Sequence, residues 1–165
     1  MKKISASLVL ASGLLIAAKP ATAADYLFLK LPGITGPSTI APHVGEIEVF
    51  SFSAGAAAKK GIGSSCSDLS VMKSTDQTSP LLFIATVTGV DFPQATFTYA
   101  QGPTGGPVVD KYSIVLNNAS ITSVQDSGAG GAGLPTESVS LKATSWVVTY
   151  NPAVGPAVTT TVICK

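Results

Sequence analysis

The chain holds one histidine, His43, and two cysteines, Cys66 and Cys164, so any nucleophile–base or metal chemistry must be assembled from very few parts. A Ser-His-acid or Cys-His site has to use His43, because it is the only imidazole available to take a proton from a hydroxyl or thiol. It follows Pro42 in a loop-like stretch with no partner at a recognisable spacing, and it reads as a surface histidine. A structural zinc site takes four Cys or His ligands, and the chain has three such residues in all. The nine Asp and Glu residues are scattered singly, so no carboxylate pair for glycoside hydrolysis is evident. Residues 128–133, Gly-Ala-Gly-Gly-Ala-Gly, have the glycine density of a phosphate loop. No Lys-Ser or Lys-Thr follows them, however, and Leu134-Pro135-Thr136-Glu137 leads into a strand pattern where a dinucleotide turn needs a helix. The run reads as a mobile or interface loop. No catalytic, cofactor-binding or metal-ligating residue is expected, and the chain reads as non-enzymatic.

The compartment follows from the N-terminus. Lys2 and Lys3 precede an uncharged, mainly apolar run over residues 4–18, followed by Pro20 and the small residues Ala21, Thr22 and Ala23. This is the three-part pattern of a secretory leader, with cleavage expected after Ala23 or Ala24. The apolar run has 15 residues, short of the roughly 20 an α-helix needs to span a bilayer, so no stable membrane insertion is expected after cleavage. Residues 1–23 are thus predicted to be a signal peptide and residues 24–165 one domain, secreted or periplasmic. That domain has no Arg, and its seven Lys against nine Asp and Glu leave a formal charge of −2. Phosphate recognition favours guanidinium forks and dense positive charge, so nucleic acid is excluded as a partner. Outside the cytoplasm a thiol pair tends to oxidise, which makes a Cys66–Cys164 disulfide the first expectation and two free thiols the alternative. Closing a 98-residue separation is worth about 4–5 kcal/mol on the loop-entropy model.

The elements are mostly strands. Residues 26–30 form a first strand, closed by the turn signals Pro32-Gly33 and Gly36-Pro37. In residues 45–53, Ile47 and Val49 alternate with Glu46 and Glu48, but Phe50 and Phe52 fall on the opposite phase, which predicts a bulge or bend. Residues 54–65 are small and Gly-rich and carry Lys59-Lys60, so they read as an exposed loop before a strand over 66–73. One helix is predicted over 80–88, with a strand as the competing reading because Ile84, Thr86, Val87 and Thr88 are β-branched. Thr78 or Ser79 can cap it, Pro80 fits its first turn, and Gly89 suits its left-handed end. It is apolar almost all round, which predicts a helix wedged against the sheet. Alternating patterns return around residues 96–99, 112–116, 121–126, 139–143, 146–150 and 157–164, with a further bend near 143–145. Short strands, tight turns and one helix give a mainly antiparallel barrel or sandwich.

Three stretches carry a resemblance. They are Gly45-Glu-Ile-Glu-Val-Phe-Ser-Phe-Ser53, Ser79-Pro-Leu-Leu-Phe-Ile-Ala-Thr-Val-Thr-Gly89, and residues 121–141, in which the Gly-rich loop enters Leu134-Pro-Thr-Glu-Ser-Val-Ser-Leu141. Together with Asp25-Tyr-Leu-Phe-Leu-Lys30 they resemble the Hcp (haemolysin-coregulated protein) family, the tube protein of type VI secretion. The resemblance implies a small β-barrel of two sheets with one flanking helix. It implies hexameric rings that stack head to tail into a hollow tube, with sheath, spike and effector proteins as partners and no catalytic residues or cofactor. The family's extended loop, which contributes to stacking, maps onto residues 54–65, including Ala57, Lys59, Lys60 and Gly63. Tube proteins of this family assemble in the cytoplasm without a leader. Here, then, either the fold is redeployed outside the cytoplasm or the leader is retained.

Overall fold

The computed structural model describes residues 23–59, 63–131 and 133–164; the first 22 residues of the expected leader 1–23, and Lys60, lie outside them. The strands are β1 (Ala23–Lys30), β2 (Ile47–Val49), β3 (Ser51–Ser53), β4 (Ala56–Lys59), β5 (Gly63–Cys66) and β6 (Leu69–Ser74). After helix α1 (Ser79–Thr88) come β7 (Asp91–Pro103), β8 (Val109–Ser127), β9 (Thr136–Lys142), β10 (Ser145–Tyr150) and β11 (Val158–Ile163). The main sheet runs β2-β1-β7-β8-β9-β6-β3, with β10 on β8 and β11 beyond β10. Every pairing within it is antiparallel.

Two elements bend this sheet into two layers. The 19-residue β8 pairs with β10 through Asn117 and the residues before it, and with β9 from Ser120 onward. The segment 47–53 touches both ends of the path. Its first half pairs with β1 and its second half with β6, and it breaks at Phe50. The expected change of phase is therefore a crossing between layers, and the sheet curls on itself without a continuous closing ladder. The second expected bend separates β9 from β10 at residues 143–144. The result is the mainly β, two-layer antiparallel fold with one short helix that the sequence implies. Leu29, Ile47, Leu69, Val71, Phe97, Leu116 and Leu141 are fully buried between the layers, and Trp146 is nearly so. Side chains of this size each contribute about 1.5–3 kcal/mol by leaving water.

Four expectations are corrected. The segment 54–65, expected as a loop, instead holds β4 and most of β5, Ala56–Lys59 and Gly63–Cys66, which pair as a separate two-stranded sheet. Small Ala and Ser residues pair there without any apolar face, so no alternation marks the strands. The strand expected over 66–73 breaks at Ser67 and Asp68, between β5 and β6. Helix α1 has its expected ends: Pro80 is in the first turn and Gly89 is left-handed at φ 66°. The N–H groups of Gly89 and Val90 close onto the carbonyls of Thr86 and Ala85. Thr78 makes no side-chain capping bond, however. Asp76 organises the entry instead, its carboxylate accepting from the Thr78 N–H at 2.7 Å while its own N–H donates to Ser79 Oγ at 3.1 Å. Nor is the helix wedged in on all sides. Leu82 and Ala85 are buried, whereas Leu81, Phe83, Ile84 and Val87 are exposed.

Candidate functional site

Polar side chains that are single in sequence meet in space. His43 is buried, not at the surface as expected, because its ring stacks on Phe28 with centroids 4.2 Å apart. Its two nitrogens face carboxylates from different elements: Nδ1 is 2.9 Å from Glu46 Oε2, and Nε2 is 2.8 Å from Asp110 Oδ1 at the start of β8. A histidine flanked in this way is held by both ring nitrogens. That suits it to fixing the 38–46 turn against β8, and the burial keeps it away from any substrate.

A second cluster lies at the entry to α1. Lys73 of β6 and Glu137 of β9 are directly opposite in the ladder, and both side chains are fully buried. Lys73 Nζ donates to Glu137 Oε2 at 2.8 Å and to Ser79 Oγ at 3.2 Å, and lies 3.1 Å from Asp76 Oδ1. Ser79 Oγ in turn donates to Glu137 Oε2 at 2.9 Å. A hydroxyl beside a lysine invites comparison with a Ser-Lys nucleophile, which must be reachable by substrate. Ser79, Lys73 and Glu137 are all buried, so the cluster locks the helix onto two strands. Glu137 Oε1 is a buried atom without a partner among the described residues.

On the outer surface, Asp25 accepts hydrogen bonds from Tyr99 Oη at 2.8 Å and Gln101 Nε2 at 2.9 Å. The Gln101 bond and then the Tyr99 bond hold its carboxyl below the usual carboxylate range, and the Asp25 carboxylate pushes the Tyr99 phenol up. Burial pushes the Tyr112 phenol up as well. Asp25 and Tyr99 border a shallow groove of about 560 Å³, lined also by Tyr26, Phe50 and Phe52. Its aromatic side chains and two carboxylates, Asp25 and Glu48, offer contact area but no nucleophile with a base beside it.

The residues singled out from the sequence fall on the hairpin, beside the end of β11 and at the start of β1. Ala57 and Gly63 are exposed on β4 and β5, Lys59 ends β4, and Lys60 lies outside the described residues. Cys66 ends β5 and lies beside Cys164, which follows β11; their Cα atoms are 5.1 Å apart with the sulfurs at bonding separation. Ala23 and Ala24 begin β1, opposite Pro103 and Gly102. The Gly-rich run lies between β8 and β9, and at its exit the Pro135 carbonyl accepts from the Thr75 N–H at 2.9 Å, beside the Lys73 cluster. Among the described residues no group of three or more His, Cys, Asp or Glu is arranged to hold a metal ion. Among them, too, no helix is long and apolar enough to cross a membrane.

Sequence reasoning missed both buried clusters. Lys73 is in phase with Leu69 and Val71, and Glu137 with Val139 and Leu141, so the same alternation that marks the core residues marks these charges as inward-facing. The pairing of His43 left no such signal, since Glu46 lies three residues on in a turn without alternation and Asp110 lies 67 residues away.

Comparison with known proteins gives one consistent answer. Residues 28–150 match the family model described as "Type VI secretion system effector, Hcp". Protein hcp1 of Pseudomonas aeruginosa is 31% identical over 136 residues, an alignment covering 76% of this chain and 83% of that protein. The crystal structure of Hcp1 from Salmonella typhimurium superposes with a TM-score of 0.73 at 26% identity, over 85% of this chain and 94% of that one. A type VI secretion system effector from Yersinia pestis shares the fold, with a TM-score of 0.71 at 23% identity over 83% of this chain and 98% of that one.

Proposed function

The chain belongs to the Hcp family of type VI secretion proteins, and on that premise we propose that it is a non-enzymatic structural subunit that forms hexameric rings. The observation that carries this beyond membership is the outer face of α1. Leu81, Phe83, Ile84 and Val87 are left exposed by the protein's own core, with Val87 at 77%. A contiguous apolar face of this kind is what a subunit buries against a neighbour. Heterologous contacts that close give rings, and those that do not close give stacks and filaments. On this reading the β4–β5 hairpin, with Ala57, Lys59, Lys60 and Gly63, is the stacking element. The hollow of the tube carries effectors, and sheath and spike proteins are the further partners.

The N-terminus belongs to the same proposal. Residues 1–23 act as a cleaved leader and residues 24–165 as the exported domain, secreted or periplasmic. Cleavage after Ala23 removes one residue from β1 and leaves its pairing from Ala24 to Lys30 in place. Cys66 and Cys164 are then joined as a disulfide in an oxidising compartment. That pairing favours a second reading, an exported Hcp-like binding or adhesion module acting independently of type VI secretion. Electron microscopy of the exported protein at high concentration separates the two. Rings with a central hole are expected from a tube subunit, and a field of single domains supports the binding module.

A further inference from the structure

We propose that the Cys66–Cys164 pair is a redox clasp: closed, it holds the β4–β5 arm on the edge strand β11, and reduced, it releases both while the barrel stays folded. The arm is its own two-stranded sheet, with no ladder to the main sheet. Ala56, Ala57 and Ala58 are exposed, and among the arm's described residues Cys66 alone packs against the buried core. A lone two-stranded hairpin is marginal in water, so something outside it must fix its position. Its base is closed by the Ser67 N–H donating to the Gly55 carbonyl at 2.8 Å, which shapes the hairpin without attaching it to the barrel.

Attachment comes from the C-terminal strand. Ser64 Oγ donates to the Ile163 carbonyl, and one residue further on Cys164 meets Cys66. Strand β11 is itself weakly held. It pairs with β10 alone, and all its residues but Val162 are exposed. The covalent bond therefore joins the arm to a strand whose other anchors among the described residues are the β10 ladder and the Cys164 N–H on the Thr144 carbonyl. Without it, a single hydroxyl–carbonyl bond among those residues holds the arm to β11. Segments with few buried contacts open at low free energy and independently of the core.

Both cysteines are half-buried at the edge of the core, so a dithiol can reach them. Its thiolate attacks one sulfur of the cystine and expels the other, which takes up a proton. The dithiol's second thiol then resolves the mixed disulfide. Two electrons and two protons pass to the cysteines, and the reductant leaves as its own disulfide.

The clasp rests on the stacking reading of the hairpin only for its consequence in assembly. The test is hydrogen exchange read by mass spectrometry on the oxidised protein, the protein in dithiothreitol, and the Cys66→Ser/Cys164→Ser variant. Amides of residues 56–59, 63–66 and 158–163 should exchange on the order of tenfold faster or more in the two bond-free samples, with β1, β7, β8 and β9 unchanged. Unchanged exchange in the arm and β11 overturns the clasp. So does a uniform acceleration through the barrel, which would make the bond a staple of the whole fold. Particle size of the same samples by light scattering separates the two ideas. Local release with unaltered assembly defeats the stacking reading and leaves the clasp standing, whereas absence of local release defeats the clasp whatever the particle size.

Discussion

Replacing Lys73 by methionine keeps most of the lysine stem and removes its charge from the most buried polar cluster of the protein. In the native structure Nζ lies 2.8 Å from Glu137 Oε2, 3.1 Å from Asp76 Oδ1 and 3.2 Å from Ser79 Oγ. After the change Glu137 keeps the Ser79 hydroxyl, and its Oε1 was already without a partner among the described residues. Asp76 is 19% exposed and can turn to water, so the cost falls on Glu137, whose side chain is fully buried. Stranding a buried charge in this way costs about 3–5 kcal/mol. On a domain of this size a loss of about 4 kcal/mol lowers Tm by on the order of 15 °C. The double variant Lys73→Met/Glu137→Leu removes both charges and should recover all but about 1 kcal/mol, since an ion pair replaced by apolar groups of similar volume is close to neutral. Urea unfolding followed by the fluorescence of Trp146, the single and buried tryptophan, measures all four corners of the cycle. A Lys73→Met loss below about 1 kcal/mol, or a double variant less stable than either single one, would refute the reasoning.

Other expectations are simpler. His43→Ala should cost about 2–4 kcal/mol, because it leaves a void against Phe28 and two carboxylates without their partner; thermal unfolding close to that of the native protein contradicts this. Gly36→Ala should destabilise by about 2 kcal/mol or more, since a Cβ there lands on the Glu46–Ile47 backbone, whereas Gly130→Ala points into open space and should stay within about 0.5 kcal/mol. Asp25 should titrate below the ordinary carboxylate value, and Gln101→Ala should move its midpoint up more than Tyr99→Phe does. Because the folded-state value is depressed, the contribution of Asp25 to stability is present above the unfolded value and is lost as pH falls through the folded one. Carboxyl chemical shifts followed through an acid titration check both the midpoint and its order of displacement.

The parts of the fold legible in sequence are those where side chains alternate against one core. The phase changes at Phe50 and near residues 143–145 mark real crossings because a slipped register turns every later side chain over. Pro80 and Gly89 mark the helix because both ends are set by local backbone geometry. The β4–β5 hairpin was illegible since it has no buried face to impose alternation on its Ala and Ser residues. The exposure of the α1 face was hidden for a different reason: an apolar helix reads the same whether its own sheet or another molecule covers it. The Lys73–Glu137 pair was legible in principle, because both charges share the phase of core residues on their strands, and a charge in an inward phase needs a partner. His43 was not, because beyond the nearby Glu46 its burial comes from Phe28 on another strand and from Asp110, 67 residues distant.

The central claim, that this chain is a ring-forming structural subunit, is tested most directly by the mass of the exported protein measured by multi-angle light scattering over a wide range of concentration. A particle of six protomer masses is the expected result. A single protomer mass at every concentration would contradict it.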